Sequence, residues 1–198
     1  MRKLALLAVV CGALALTGCN EQKTAEAPPA PVELTAAAIG HYCGMNVLEH
    51  TGPKGQIILA SRAEPVWFSS ARDALSFTML PEEPKDIRAI YVSDMAKAPT
   101  WEDPGTANWI DAREATFVIG SRMRGGMGAE EAVPFSDKAA AEKFAQDHGG
   151  RVVAFSEVPS DYVLGASPDA TSSVAEPPDD DARHDHHHSS APKAGHAH

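Results

Sequence analysis

Apolar residues fall along this chain in three regimes. Leu4 to Leu16 is a continuous apolar run, broken only by Cys11 and Gly12 and preceded by Arg2 and Lys3. A charged start and a length short of a bilayer span predict a signal peptide over residues 1–18. Large apolar side chains then become scarce over residues 19–33, where Pro28, Pro29 and Pro31 stand among alanines; this composition predicts a flexible tether. From residue 34 to residue 165 the periodic patterns of a folded domain take over. After Gly165 they stop: residues 166–198 are polar and proline-rich, with Asp179-Asp180-Asp181 and six of the nine histidines, and such a composition predicts a disordered tail.

Within the folded region two stretches resemble each other. Phe68-Ser69 and Phe135-Ser136 each place a serine, a good helix N-cap, before a helical stretch, and a second Phe follows nine positions after the first, at Phe77 and Phe144. Each predicted helix leads into a β-rich run, Ile87 to Val92 and Arg151 to Phe155. Each repeat is preceded by another strand, Gln56 to Ala60 and Ala115 to Ile119. Pro81 and Gly149-Gly150 supply the helix stops. The pattern predicts an α+β fold of two similar ββαβ-type lobes, small antiparallel or mixed sheets with one helix each, over about 34–100 and about 101–165. Trp101 to Gly105 carries turn chemistry between them, and Trp109 to Ala112 reads as the first strand of the second lobe. Both tryptophans are expected to be packing residues.

Charge narrows the function. The chain has 17 basic and 27 acidic residues, and loss of Arg2 and Lys3 with the signal leaves 15 against 27. No basic footprint for nucleic acid is visible. Cysteines narrow it further. Leu16-Thr17-Gly18-Cys19 resembles the bacterial lipobox, which predicts lipid on Cys19 and attachment to a membrane by that anchor. Cys11 leaves with the signal, so Cys43 remains as the one free thiol, without an intramolecular partner, in a compartment where disulfides normally form. A thiol kept there needs either burial or a task.

His41-Tyr42-Cys43-Gly44-Met45 offers the task. Thiolate and thioether are soft donors suited to Cu(I), and in an extended segment residues 43 and 45 project from one face. Gly44 lets the backbone bend around an ion. The alternative is a buried thiol beside a core methionine. Gly120 to Gly128 is a glycine-rich loop holding Met123 and Met127; it lacks the Gly-Lys-Ser/Thr of a P-loop, and Met127, flanked by glycines, is the best third soft donor. The histidines of the tail suit Cu(II), Zn or Ni and would gather metal loosely. Two competing classes remain: a thiol-dependent enzyme with Cys43 as nucleophile and His41 as its base, for which no orienting carboxylate or oxyanion motif is visible, and a structural or interaction lipoprotein with an inert Cys43.

A lipobox, a Pro/Ala tether, Cys43-Gly44-Met45 opening the domain, and Gly126-Met127-Gly128 leading to Val133-Pro134-Phe135-Ser136 together resemble the NosL family over roughly residues 41–162. The resemblance implies a pair of ββαβ units and a lipid-anchored chaperone that binds one Cu(I). It also implies delivery to nitrous oxide reductase for its copper–sulfide centre, in contact with the NosDFY machinery on the periplasmic side of a bacterial membrane. No catalysis is implied. Carried over by position, it puts Cys43, Met45 and Met127 at the metal. His41 and Met123 are further candidates, and His41 and His50 are the histidines nearest in sequence. The chain departs from the pattern at Gly126, where many relatives carry Pro, and this departure predicts a more mobile loop.

Overall fold

Phe68 and Phe135 each close a short strand and hand the chain to a helix. In the computed structural model, which describes residues 27–165, the elements run β1 (Gly55–Leu59), β2 (Val66–Phe68), α1 (Ala71–Met79), β3 (Ile87–Ser93), β4 (Trp109–Asp111), β5 (Thr116–Ile119), β6 (Val133–Phe135), α2 (Lys138–His148), β7 (Arg151–Ala154) and α3 (Ser160–Leu164). The predicted signal peptide, Cys19 and the histidine-rich tail lie outside the described residues.

The two ββαβ units are present as an α+β pair. β1 lies between β2 and β3, and β5 between β6 and β7, every pairing antiparallel. Matching registers, Gly55 with Phe68 and Thr116 with Phe135, show the repeat in the hydrogen bonding itself. β4 departs from expectation. It pairs with β3, Val92 against Ile110, and so becomes the fourth strand of the first sheet rather than the first strand of the second lobe. Side chains fix this choice: Trp109 packs with Trp67, ring centroids 6.1 Å apart, over the buried cluster Leu34, Ala38 and Val47.

Period-2 alternation in β5 shows how the sheets are layered. Phe117 and Ile119 join Ile57, Phe68, Leu75, Phe77 and Val92 in one core drawn from both units. Val118 points the other way, to Val133, Phe135 and Ala141 beneath α2. With one face on the shared core and the other under a helix, the second sheet is covered on both sides.

Helix starts sit one residue later than expected. Ser70, not Ser69, caps α1 by accepting from the Asp73 N–H at 3.3 Å, and Asp137, not Ser136, caps α2 by accepting from Ala139 N–H at 2.8 Å. Ser136 is engaged elsewhere. Its N–H and hydroxyl donate to the fully buried Asp94 carboxylate at 2.9 and 2.6 Å, tying the end of β6 to the end of β3. The last residues of the predicted tether are also tied down. Val32 exchanges two hydrogen bonds with the buried Gln56 side chain, and Tyr91 donates to the Pro29 carbonyl. A buried amide that finds its hydrogen bonds in that segment fixes it in place.

Candidate metal centre

Residues 39–50 form a closed loop in front of the first sheet. Gly40 N–H donates to the Met45 carbonyl and Gly44 N–H to the Gly40 carbonyl, both at 2.9 Å. The segment expected to be extended is therefore a tight turn, and Gly44 makes it possible by taking φ +66°, a left-handed conformation that costs side-chain-bearing residues. Gly40 is needed for a different reason: a Cβ there would lie 2.5 Å from the Cys43 sulfur. The turn thus seats the thiol over a glycine. It leaves Sγ half-buried and 3.9 Å from the Met45 carbonyl, with the Met45 side chain 41 % exposed.

A 3-10 turn at Val47–Glu49, capped by Asn46, then brings His50 back against the thiol. His50 Nε2 stands 3.9 Å from Cys43 Sγ, and Nδ1 lies 2.9 Å from the Gly126 carbonyl. A carbonyl only accepts, so Nδ1 carries a proton, and in the neutral ring Nε2 presents its lone pair to the thiol. One imidazole therefore links the Cys43 loop to the glycine-rich loop.

That second loop is a compact turn. Gly125 N–H donates to the Ala129 carbonyl and Gly128 N–H to the Gly125 carbonyl, at 2.9 and 2.8 Å, and Arg124 and Glu130 bridge its base. Gly126 sits close against the first unit. A Cβ at 126 would meet His50 Cβ at 2.6 Å and the Ser69 carbonyl at 2.7 Å, so the missing side chain permits close seating. Met127 follows directly, 53 % exposed.

The remaining candidates lie differently. His41 is turned to the Glu83 carboxylate, 3.1 Å from Nε2, with its ring edge on Phe68 and Phe77. The imidazole beside the thiol is that of His50. Met123 is half-buried ahead of the turn, its carbonyl accepting from Arg124. Two buried charged residues behind the site, Lys54 and Glu131, carried no sequence signal beyond a lysine and a glutamate adjoining apolar strands.

Geometry and topology together define a class: a small α+β domain of paired ββαβ units with a half-buried thiol–imidazole pair, and with an exposed methionine on each of the two loops that meet at His50. The chain belongs to the NosL family, whose model matches residues 31–163. It is 44 % identical over 165 residues to the copper-binding lipoprotein NosL of Achromobacter cycloclastes, covering 83 % of this chain and 85 % of that one. The copper-binding lipoprotein NosL of Stutzerimonas stutzeri is 35 % identical over 153 residues, 77 % of this chain and 78 % of its own. Among solved structures, the copper chaperone NosL from Shewanella denitrificans aligns with a TM-score of 0.62 at 36 % identity, over 66 % of this chain and 97 % of that one. No helix among the described residues is long and apolar enough to cross a membrane.

Proposed function

We propose that this chain is a membrane-anchored copper carrier. It holds Cu(I) on the Cys43 thiolate and His50 Nε2, with Met45 and Met127 as thioether donors, and releases it by ligand exchange. The observation that carries the reading is the 3.9 Å between Cys43 Sγ and a His50 nitrogen whose lone pair is directed there by the Gly126 carbonyl. With metal–ligand lengths of roughly 2.3 Å to sulfur and 2.0 Å to nitrogen, as in zinc sites, that separation subtends roughly 130° at an ion. The angle is wider than tetrahedral and suits an ion with two strong donors and one or two weaker ones.

Each donor has a distinct part. The thiolate neutralises the cuprous charge, and metal binding keeps it deprotonated. The neutral imidazole is pre-oriented by its second nitrogen. The thioethers, on residues 41 % and 53 % exposed, bind softly and are open to a partner's ligands. Incoming donors can displace them one at a time, so the ion passes over without being free in water. The copper-binding relatives support copper as the cargo. The family resemblance supplies the recipient, nitrous oxide reductase through the NosDFY complex, and a lipid on Cys19 supplies the anchor.

A Cys–His pair is also the arrangement of a thiol nucleophile and its base. Here Nδ1 is turned to a main-chain carbonyl instead of a carboxylate, and the flanking methionines have no part in acyl transfer. Competition for Cu(I) with a chromogenic chelator tests the carrier reading. Cys43→Ser is expected to lose tight binding altogether and His50→Ala to weaken it. Unchanged binding by Cys43→Ser refutes the assignment, and a hydrolytic activity lost to thiol alkylation but indifferent to copper chelation favours the enzyme.

A further inference from the structure

Behind the thiol–imidazole pair sit two ionisable side chains that solvent does not reach. Lys54 is 2 % exposed and Glu131 0 %. Burying an ammonium or a carboxyl without a role is costly, and each of these is aimed at one half of the site. Lys54 Nζ donates to the His50 carbonyl at 2.5 Å and to the Thr51 carbonyl at 2.9 Å. Its own main chain is fixed to the end of β3 by reciprocal bonds with Ser93, both 3.0 Å. Glu131 Oε1 accepts from the Arg72 N–H at 2.8 Å and from its own neighbour Ala132 at 2.9 Å, joining the turn's C-terminal arm to the start of α1. Its Oε2 forms no hydrogen bond and lies against Gly125, where only a glycine leaves room for it.

We infer that Lys54 and Glu131 are positioning residues for the metal site, Lys54 fastening the main chain at His50 and Glu131 seating the Gly125–Gly128 turn, so that the imidazole and the Gly126 carbonyl meet before metal arrives. This rests on the copper reading above. His50 is thereby held at three points: its carbonyl by Lys54, its ring by Gly126, and its main-chain N–H by the Val47 carbonyl at 3.3 Å. The turn that supplies the ring's partner is in turn held from beneath by Glu131. Loss of either support leaves the imidazole free to rotate and to change tautomer, without removing a ligand.

The test uses the full chain. Cu(I) affinity is measured by chelator competition, and the nitrogen contribution to the copper X-ray absorption spectrum is read in parallel. Lys54→Met keeps the side-chain length but no donor. Copper affinity is expected to fall about 10–100-fold, as for other outer-shell losses, and the copper–nitrogen contribution to disappear. Glu131→Ala is expected to do the same, and the isosteric Glu131→Gln to restore both. A fourth arm needs no variant: the imidazole nitrogen spectrum of the metal-free chain should show His50 as one tautomer, protonated at Nδ1. Nitrogen ligation retained with affinity within twofold in folded Lys54→Met or Glu131→Ala overturns the inference, and so does a mixture of tautomers in the unaltered chain. His50→Ala separates the two readings. If it keeps the nitrogen contribution, the site assignment fails; if it loses it while Lys54→Met does not, only the positioning roles fail.

Discussion

The two ββαβ units share a topology and differ in what each does with it. In the first, β1 and β2 are joined by a short connection, residues 60–65, and α1 turns Ala71, Ala74, Leu75 and Phe77 into the core common to both sheets. In the second, the corresponding connection spans residues 120–132, and α2 lies over the outer face of its sheet with Ala141 as its buried residue. The extra chain in the second unit is the glycine turn, and it crosses to the first unit to meet His50 and the start of α1. The candidate site therefore lies where the repeat is broken. A duplicated scaffold supplies rigidity, and the asymmetric loop supplies the carbonyl that meets the His50 ring.

The equivalent phenylalanines give the largest test of that asymmetry. Phe77 is buried at the centre of the shared core with its ring edge-on to Phe68 at 5.5 Å, whereas Phe144 is half-buried between Trp101 and Phe135. Phe77→Ala is expected to cost about 3–5 kcal/mol of unfolding free energy, as large core truncations do. Phe144→Ala exchanges less buried area and is expected to cost about 2 kcal/mol or less. Urea unfolding of both variants decides it, and equal losses would mean that the two helices carry the fold alike.

Next in size are two buried carboxyls with opposite electrostatics. Burial alone would raise Asp94, but the Lys97 ammonium at 2.9 Å and hydrogen bonds from Ser136 and Ala96 outweigh it and hold the carboxyl below its usual range. For Glu131, burial dominates the hydrogen bonds from the Arg72 and Ala132 N–H groups and pushes the carboxyl up to about 8. The signs differ accordingly. Asp94 binds its proton more weakly folded than unfolded, so its stabilisation is present above about pH 4 and is lost as pH falls through the depressed folded value. Glu131 binds its proton more tightly when folded, so its contribution is full below about pH 4 and declines as pH rises towards 8. Asp94→Asn is expected to cost about 1–3 kcal/mol near neutrality, in proportion to the donors it leaves poorly matched, and to flatten the acid limb of stability against pH. Glu131→Gln should flatten the neutral-to-alkaline limb instead. Denaturant midpoints at several pH values show whether the two limbs separate in this way.

The repeat was legible in the sequence because Phe68/Phe77 and Phe135/Phe144 share a spacing with a serine at the same place, and helices and strands keep local periodicity. The thiol and the glycine-flanked Met127 stood out in the sequence as candidates because each residue type differs chemically from its surroundings, and the structure brings His50, not a methionine sulfur, up to the thiol. The histidine was not decided. His41 is nearer to Cys43 along the chain, but the glycine turn at 44 and the 3-10 turn at 47–49 swing His50 back to the sulfur while His41 goes to Glu83. β4 was misplaced because Trp109-Ile110-Asp111 has no period that favours one sheet edge over another; only its packing on Trp67 selects the first sheet. Lys54 and Glu131 were invisible for the same reason, since a charged residue beside a strand is normally a solvated end.

Gly126 gives the smallest and sharpest test of the asymmetric loop. Its φ is not in the left-handed region, so alanine meets no backbone strain there, and any effect must come from the space it needs. That space is taken: the new Cβ would stand 2.6 Å from His50 Cβ and 2.7 Å from the Ser69 carbonyl, and neither is the free end of a flexible side chain. Gly126→Ala should lift the turn away from His50, lengthen the 2.9 Å contact to Nδ1 and loosen the copper–imidazole bond without touching a ligand. The expected result is about tenfold weaker Cu(I) binding, about 1.4 kcal/mol, with a small change in the unfolding midpoint. Chelator competition beside thermal unfolding separates the two quantities. If Gly126→Ala binds copper as tightly as the unaltered chain, the close approach of the two loops is a packing detail and His50 needs no partner to hold its orientation.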